Sequence, residues 1–385
     1  MKDYKLSAST FAGLEDVLAD ELLHLGARDI KKGIRNVQFT GDKGFIYKAN
    51  FNLHTALRIF KQIEEGNKIR SAEQLYRFIN KIDWSEILDL DQKFRIDVTG
   101  QSKFFDNTQF VALKTKDAIV DQFRKKYNKR PDISLKNPDI RIVLHLQDDK
   151  VKVLLDSSGE SLHKRGYRTA TNKAPINEVL AAGLVKIAGW KGLSNFLDPM
   201  CGSGTIPIEA AMIAMNIPAS IHRQAFGFEK WKDFEPELFN LIKESSLKKI
   251  RELPEGIKIT GFDKAPSAVE KAQQNVKNAG LEEFITIKQA DFFKTTKTDD
   301  KKLTLIFNPP YDERLPIEVK EFYKKIGDTL KHSYPGSIAW ILAGNKEAVK
   351  SIGLRPSKRI PLYNGKLEVR FLKFELYTGS KKNTK

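Results

Sequence analysis

From about residue 170 onward, short apolar runs alternate with segments of helical period, and this rhythm narrows the fold more than any other feature. Asn195-Phe196-Leu197-Asp198 reads as a strand and residues 206–215 as a helix. Residues 257–263 predict the next strand, followed by a helix through Val269 to residue 278. Ile285-Thr286-Ile287 and Leu303-Thr304-Leu305-Ile306-Phe307 predict a third and a fourth strand, and residues 337–343 and 369–377 supply late ones. Short apolar strands that alternate with helices are covered on both faces, which implies an α/β fold with a parallel, doubly wound sheet.

The first 160 residues follow another order. Residues 5–9 read as extended, and Leu14, Val17, Leu18, Leu22 and Leu25 recur at helical spacing until Gly26 ends the run. A strand at 37–40, a helix at 45–53 and an extended stretch at 56–60 complete a small α+β, ferredoxin-like unit over residues 1–62. A second unit, 63–160, begins with a helix over 71–88 that Ser71 caps, followed by a strand at 94–98 and a long helix over 107–127. Strands at 140–146 and 151–156 close it, and residues 161–385 hold the alternating part.

Composition limits the setting. The 385 residues suit two or three domains, and a single cysteine excludes an internal disulfide and, with six scattered His, a zinc knuckle. No secretory leader and no membrane-length apolar run are visible, so a cytoplasmic protein without membrane or metal is expected. A net charge of +17 favours a polyanionic partner, because Lys and Arg neutralise phosphate whatever the sequence. The excess is spread, with 30 basic against 24 acidic side chains up to residue 165 and 36 against 25 beyond it.

Chemistry concentrates at strand ends. Asp198-Pro199-Met200-Cys201-Gly202-Ser203-Gly204-Thr205 joins a strand to a helix, where a doubly wound sheet places its ligands. A dinucleotide fingerprint would need a third glycine where Pro207 stands, and a P-loop would need Gly-Lys-Ser/Thr. What remains is a glycine turn preceded by a carboxylate, able to pair with the cationic amino-acid end of S-adenosylmethionine. Asp263 ends the second strand, where ribose hydroxyls would lie, and Asp291-Phe292 follows the third, near an adenine ring. Any one of these acids could simply cap a helix; three at successive strand ends argue for a site. The fourth strand ends in Asn308-Pro309-Pro310-Tyr311. Two prolines remove two N–H donors and leave an amide oxygen and a proline carbonyl as acceptors for an exocyclic base amine, on whose base Tyr311 could stack.

On these residues, together with 162–168, 174–178, 226–229 and 308–315, the stretch 165–377 resembles a class I S-adenosylmethionine-dependent methyltransferase of the large-subunit rRNA guanine-N2 branch. Residues 1–160 resemble the ferredoxin-like and THUMP modules that precede such a domain. The resemblance implies a Rossmann-like catalytic sheet and S-adenosylmethionine as cofactor, held by Asp198, Cys201, Gly202, Gly204, Thr205, Asp263, Asp291 and Phe292. It implies a target-amine site at Asn308, Pro309, Pro310 and Tyr311, with 23S rRNA or a pre-ribosomal particle as partner. Asp312 stands where the family often has glycine, and Lys264 where an apolar residue commonly follows the ribose acid. Some relatives fuse a second methyltransferase domain, so a second modification is expected to come from elsewhere.

Other readings stay open. Cys201 could attack a pyrimidine, although packing in the cofactor loop is the plainer role. Lys164, Arg165, Tyr167 and Arg168, in the run joining the two halves, suit phosphate clamping and stacking as well as a plain linker. The basic cluster at 125–130 reads equally as a solvated helix end. Residues 216–256, rich in Phe and Trp, could form a lid or a satellite core. Adenine-N6 methylation and a non-catalytic role in ribosome assembly are the functional rivals.

Overall fold

The computed structural model describes residues 2–170, 175–310, 316–345, 347–365 and 367–377. The N-terminal half contains β1 (Tyr4–Ser9), α1 (Glu15–Leu25), β2 (Arg28–Lys32), β3 (Asn36–Gly41), α2 (Lys43–Asn52), β4 (Arg58–Gly66), α3 (Ala72–Asn80) and β5 (Lys93–Gln101). It continues through α4 (Thr108–Tyr127), β6 (Asp132–Ile133), β7 (Ile140–Gln147) and β8 (Lys150–Asp156). These strands make one sheet in the order β2-β3-β1-β4-β8-β7-β5-β6. The two units expected upstream thus share a backbone ladder: β4 runs antiparallel to β8, with Phe60 opposite Asp156.

Local chemistry sets most boundaries. Gly26 takes the left-handed conformation (φ 103°) and donates to the carbonyls of Leu22 and Leu23, ending α1. Asn107 Oδ1 accepts from the amides of Gln109 and Phe110 at the start of α4. Ser71 Oγ accepts from Gln74 N at 3.2 Å, so Ser71→Ala is expected to cost about 1 kcal/mol in urea denaturation. The helix it starts ends at Asn80 and does not reach residue 88. Asp83 instead caps a short 3₁₀ turn at Trp84–Glu86, and the buried Trp84 indole donates to Ile79 O, folding the chain back.

The second half contains α5 (Glu178–Ala188), β9 (Asn195–Asp198), α6 (Thr205–Ala214), α7 (Pro236–Leu247), β10 (Ile259–Asp263), α8 (Pro266–Asn278), β11 (Ile285–Gln289) and β12 (Leu303–Phe307). After these come α9 (Pro316–Ser333), β13 (Ile338–Ala343), β14 (Lys358–Asn364) and β15 (Leu367–Glu375). The sheet order is β11-β10-β9-β12-β13-β15-β14, and its order reverses between β9 and β12. The pairings from β11 across to β13 are parallel, whereas β15 is antiparallel to both β13 and β14. This is the doubly wound sheet that the strand rhythm predicts. Among the described residues no helix is long and apolar enough to cross a membrane.

The 216–256 segment resolves as core, not lid. Phe226, Phe228, Trp231 and Phe239 join the hydrophobic cluster of the N-terminal half, and Phe228 packs on Tyr47 with ring centroids 4.5 Å apart. Its chain passes so close to the end of β8 that a Cβ on Gly227 would lie 2.7 Å from Gly159 N. A buried polar knot completes the joint. Asn50 of α2 bonds Ser157 Oγ and Ser158 Oγ, and Ser220 Oγ donates to Asn50 O. The halves are therefore joined by both apolar packing and satisfied buried hydrogen bonds.

Candidate active site

A cavity of about 370 Å³ lies beyond the carboxyl ends of β9, β10, β11 and β12, at the point where strand order reverses. That volume falls within the range of small-ligand sites, ~300–1,000 Å³. Asp198, Cys201, Gly202, Thr205, Asp263, Asp291, Phe292, Asn308 and Pro310 all border it. Gly204 and Pro309, expected in the same site, do not. Tyr311 lies outside the described residues.

The loop after β9 owes its path to its glycines. Gly202 and Gly204 adopt φ of 55° and 80°. Gly204 faces away from the cavity, and a Cβ there would lie 3.2 Å from Ala272 Cβ, so its smallness lets α6 start close against α8. Gly202 N donates to Asp263 Oδ2 at 3.0 Å and Cys201 N to Phe262 O at 2.7 Å, tying the loop to the end of β10. Asp263 Oδ1 accepts from Ala265 N, so this acid both orders the turn and borders the cavity. Asp291 does likewise: its Oδ1 accepts from Phe293 N in a short turn at Phe292–Lys294, and it still faces the cavity. A capping role and a place in the site are compatible at both positions.

Two groups in the wall are poorly satisfied. Asp198 is buried, with Oδ1 accepting from Met200 N at 3.1 Å, and burial pushes its carboxyl well above the usual range, with nearby Asp263 adding to the effect. Asn308 Oδ1 is buried and has no hydrogen-bond partner among the described residues. A buried acceptor without a partner costs about 1–3 kcal/mol, a penalty that falls on Asn308 Oδ1, whereas Asp198 Oδ1 has Met200 N as its donor. Cys201 is different. Burial, then the charges of Asp198 and Asp263, push its thiol well up, which disfavours the nucleophilic thiolate. It packs where a Cβ on Gly261 would come within 3.1 Å of its Sγ, as loop packing requires.

Ile176, Met200, Lys264, Phe293 and Phe322 also line the cavity, beyond the site residues that the sequence motifs point to. The first stands inside the 174–178 segment, Met200 inside the glycine loop and Lys264 beside Asp263. Phe322 carries no local signal, since only the packing of α9 brings it there. Among the described residues no three His, Cys, Asp or Glu side chains gather as a metal site.

The run joining the halves needs correction. Arg165 and Tyr167, expected to touch RNA, are buried. Arg165 Nε lies 3.2 Å from Glu209 Oε1 and Nη1 donates to Leu162 O, while the Tyr167 hydroxyl donates to Glu209 Oε1 at 3.1 Å. Arg168 Nη2 donates to Ile176 O and Thr205 Oγ1 at 2.8 and 2.6 Å, and its Nε lies 3.3 Å from Glu178 Oε1. The reason is that this segment threads between α5, α6 and the N-terminal half, where charge must be paired to be buried. Lys164 alone of the four is exposed, with Nζ 2.8 Å from Glu160 Oε1.

Comparison with known proteins decides the lineage. Residues 165–373 match the family described as the RMKL-like methyltransferase domain, 70–156 match the THUMP domain and 5–60 the RlmL ferredoxin-like domain. The chain belongs to the RMKL-like methyltransferase family. It is 36% identical over 372 residues to a Synechocystis protein named Putative RNA methyltransferase slr0064, with 96% of each covered. It is also 36% identical to the Aeromonas salmonicida ribosomal RNA large subunit methyltransferase K/L, spanning 96% of this chain and 54% of that protein. This RMKL-like chain thus covers about half the length of the K/L relatives. Among solved structures, SMU.472 complexed with SAH superposes with a TM-score of 0.87 at 31% identity, covering 99% of this chain and all of that one. A Listeria monocytogenes protein titled a predicted N6-adenine-specific DNA methylase has the same TM-score at 28% identity, with 99% and 97% covered.

Proposed function

We propose that this RMKL-like methyltransferase moves a methyl group from S-adenosylmethionine to the exocyclic N2 amine of a guanine in 23S rRNA. The observation that carries this reading is Asn308 Oδ1, a buried acceptor without a partner among the described residues, in the wall of the cavity that Asp198, Gly202, Asp263 and Asp291 also line. S-adenosylmethionine, when bound, supplies an electrophilic methyl on a sulfonium. Asp198 would hold its ammonium group, Asp263 its ribose hydroxyls, and Asp291 with Phe292 its adenine. Asn308 Oδ1 and a carbonyl of the Pro309-Pro310 turn would accept the hydrogens of the target amine and expose its lone pair, which the ring otherwise delocalises. Met200, Phe292, Phe293 and Phe322 keep the site apolar, so positioning and fixed acceptors provide most of the acceleration.

The direct test is methyl transfer to 23S rRNA against duplex DNA, followed by mass-spectrometric mapping of the nucleotide in a strain lacking the protein. Methylation of guanine N2 in the rRNA supports the reading. Transfer to adenine N6 in DNA, or binding without transfer, rejects it; the THUMP domain argues against the DNA substrate.

Asp198 supplies a second test. Its carboxyl stands well above the usual range in the free protein, and a bound ammonium would bring it down. Cofactor binding is therefore expected to release a proton, and affinity to fall as pH drops. Calorimetry in buffers of different ionisation enthalpy measures the release. Asp198→Asn is expected to bind the cofactor about 10–100-fold more weakly and without proton release, as the loss of one hydrogen bond to a charged group implies.

A further inference from the structure

A second cavity, of about 500 Å³, lies where the N-terminal and catalytic halves meet. Lys164, Arg168, Arg223, His163 and His222 line it, together with Glu160 and Glu178. Gly166 forms part of the wall at φ 104°, where a Cβ would come within 2.3 Å of His222 O, so no side chain fits between the two strands of chain. The Arg223 guanidinium is fixed by five carbonyls: Nη1 donates to Ser161 and Lys164, and Nη2 to Ser158, Glu160 and Ala225.

The wall holds more cations than acids. Arg223 Nε is buried with no hydrogen-bond partner among the described residues, while the buried Arg168 Nε is held 3.3 Å from Glu178 Oε1. Of the acids, Glu160 pairs with Lys164, and Glu178 faces Arg168 with one oxygen while its other oxygen is buried with no hydrogen-bond partner among the described residues and burial pushes its carboxyl up. Positive charge dominates at His163, whose Nδ1 meets Ser161 Oγ at 2.8 Å. Burial, then Arg165, Lys164, Arg168 and Arg58, push its imidazole down to about 4. Arg223 is likewise pushed down to about 10, by burial first, against Glu160 and Asp156. A wall in which Lys164, Arg165, Arg168 and Arg223 outnumber Glu160 and Glu178 is suited to an anion.

Its location says which anion. Arg168 stands between the two cavities: it lines this one, and its Nη2 holds Ile176 O and Thr205 Oγ1, two residues that line the first. A strand delivering a base to the first cavity would pass its sugar-phosphate chain beside this one. We infer that the junction cavity binds a backbone phosphate of the RNA strand whose base enters the active site. This rests on the reading of the first cavity as an RNA methyl-transfer site, with the exposed Lys164, paired with Glu160 in the free protein, as the cation a phosphate would reach.

The test uses the full chain with labelled histidine, the His163 ring signal being assigned through His163→Gln. It is titrated with a short single-stranded oligouridylate and, separately, with inorganic phosphate. The RNA is expected to move the His163 signal and raise its pKa. No movement, or movement with inorganic phosphate alone, would overturn the proposal. Arg223→Ala risks unfolding the loop it holds, so Lys164→Glu is the variant measured. It is expected to weaken oligouridylate binding about 5–10-fold and to lower the slope of log K against log salt by about one, with cofactor affinity as parent. An unchanged slope would also overturn it. If these hold while the parent transfers no methyl to RNA, the reaction fails and the phosphate site stands. If methyl transfer occurs without either response, the reverse is true.

Discussion

Asn308→Ala is expected to lower kcat for methyl transfer by about 10²–10³-fold, the scale on which one preorganised hydrogen-bonding group acts in catalysis. The same substitution is expected to leave the melting temperature unchanged or raise it. Asn308 Oδ1 is buried without a partner among the described residues, so removing it deletes an unsatisfied acceptor and breaks no hydrogen bond that atom makes to them. Most truncations of partly buried polar residues do the opposite and destabilise the fold. A residue whose loss costs turnover but not stability is one held in place for its ligand. Single-turnover methylation of 23S rRNA, paired with a thermal melt, reads both quantities. A normal rate would remove Asn308 from the chemistry, and a large drop in melting temperature would make its role structural.

How far the sequence reveals this site depends on where each signal resides. Asp198, Asp263, Asp291 and Asn308 sit at the ends of apolar strands, so once the strands are found the topology brings them together. The helix at Glu178–Ala188 has no such signal. It is buried on nearly every side, and its run Glu-Val-Leu-Ala-Ala-Gly-Leu-Val lacks a polar face to give a period. The edge strand Arg28–Lys32 fails for the reverse reason, being polar and exposed throughout but for one residue. The joining run misleads most. An Arg-rich, Tyr-bearing segment reads as a phosphate grip, and nothing nearby in sequence announces that its partner, Glu209, lies 44 residues further on in α6. Charge pairing across that distance is tertiary information. The glycine loop shows a subtler limit, because Gly202 and Gly204 look equivalent in the motif and only packing against Ala272 separates them.

That buried pair carries the largest expected stability effect. Glu209→Gln or Arg165→Ala is expected to cost about 3–5 kcal/mol in urea denaturation, because each leaves a buried polar or charged partner without its match. Both side chains are wholly buried, so solvent does not screen the loss. Burial alone would raise the Glu209 carboxyl, but Arg165 and then His54 outweigh it and hold the group below the ordinary glutamate value. A depressed carboxylate contributes its stability above the unfolded pKa, ~4.3, and loses it as pH falls through the folded one. The parent is therefore expected to weaken steeply in acid, with Glu209→Gln losing that part of the dependence. The double variant Arg165→Met/Glu209→Leu discriminates the cause. It removes both charges and their desolvation cost together, so it should lose less than the two single changes combined, even though Tyr167 and His54 lose an acceptor. Additive losses would mean that the two side chains act independently and that the Arg165–Glu209 contact does not join the linking segment to α6.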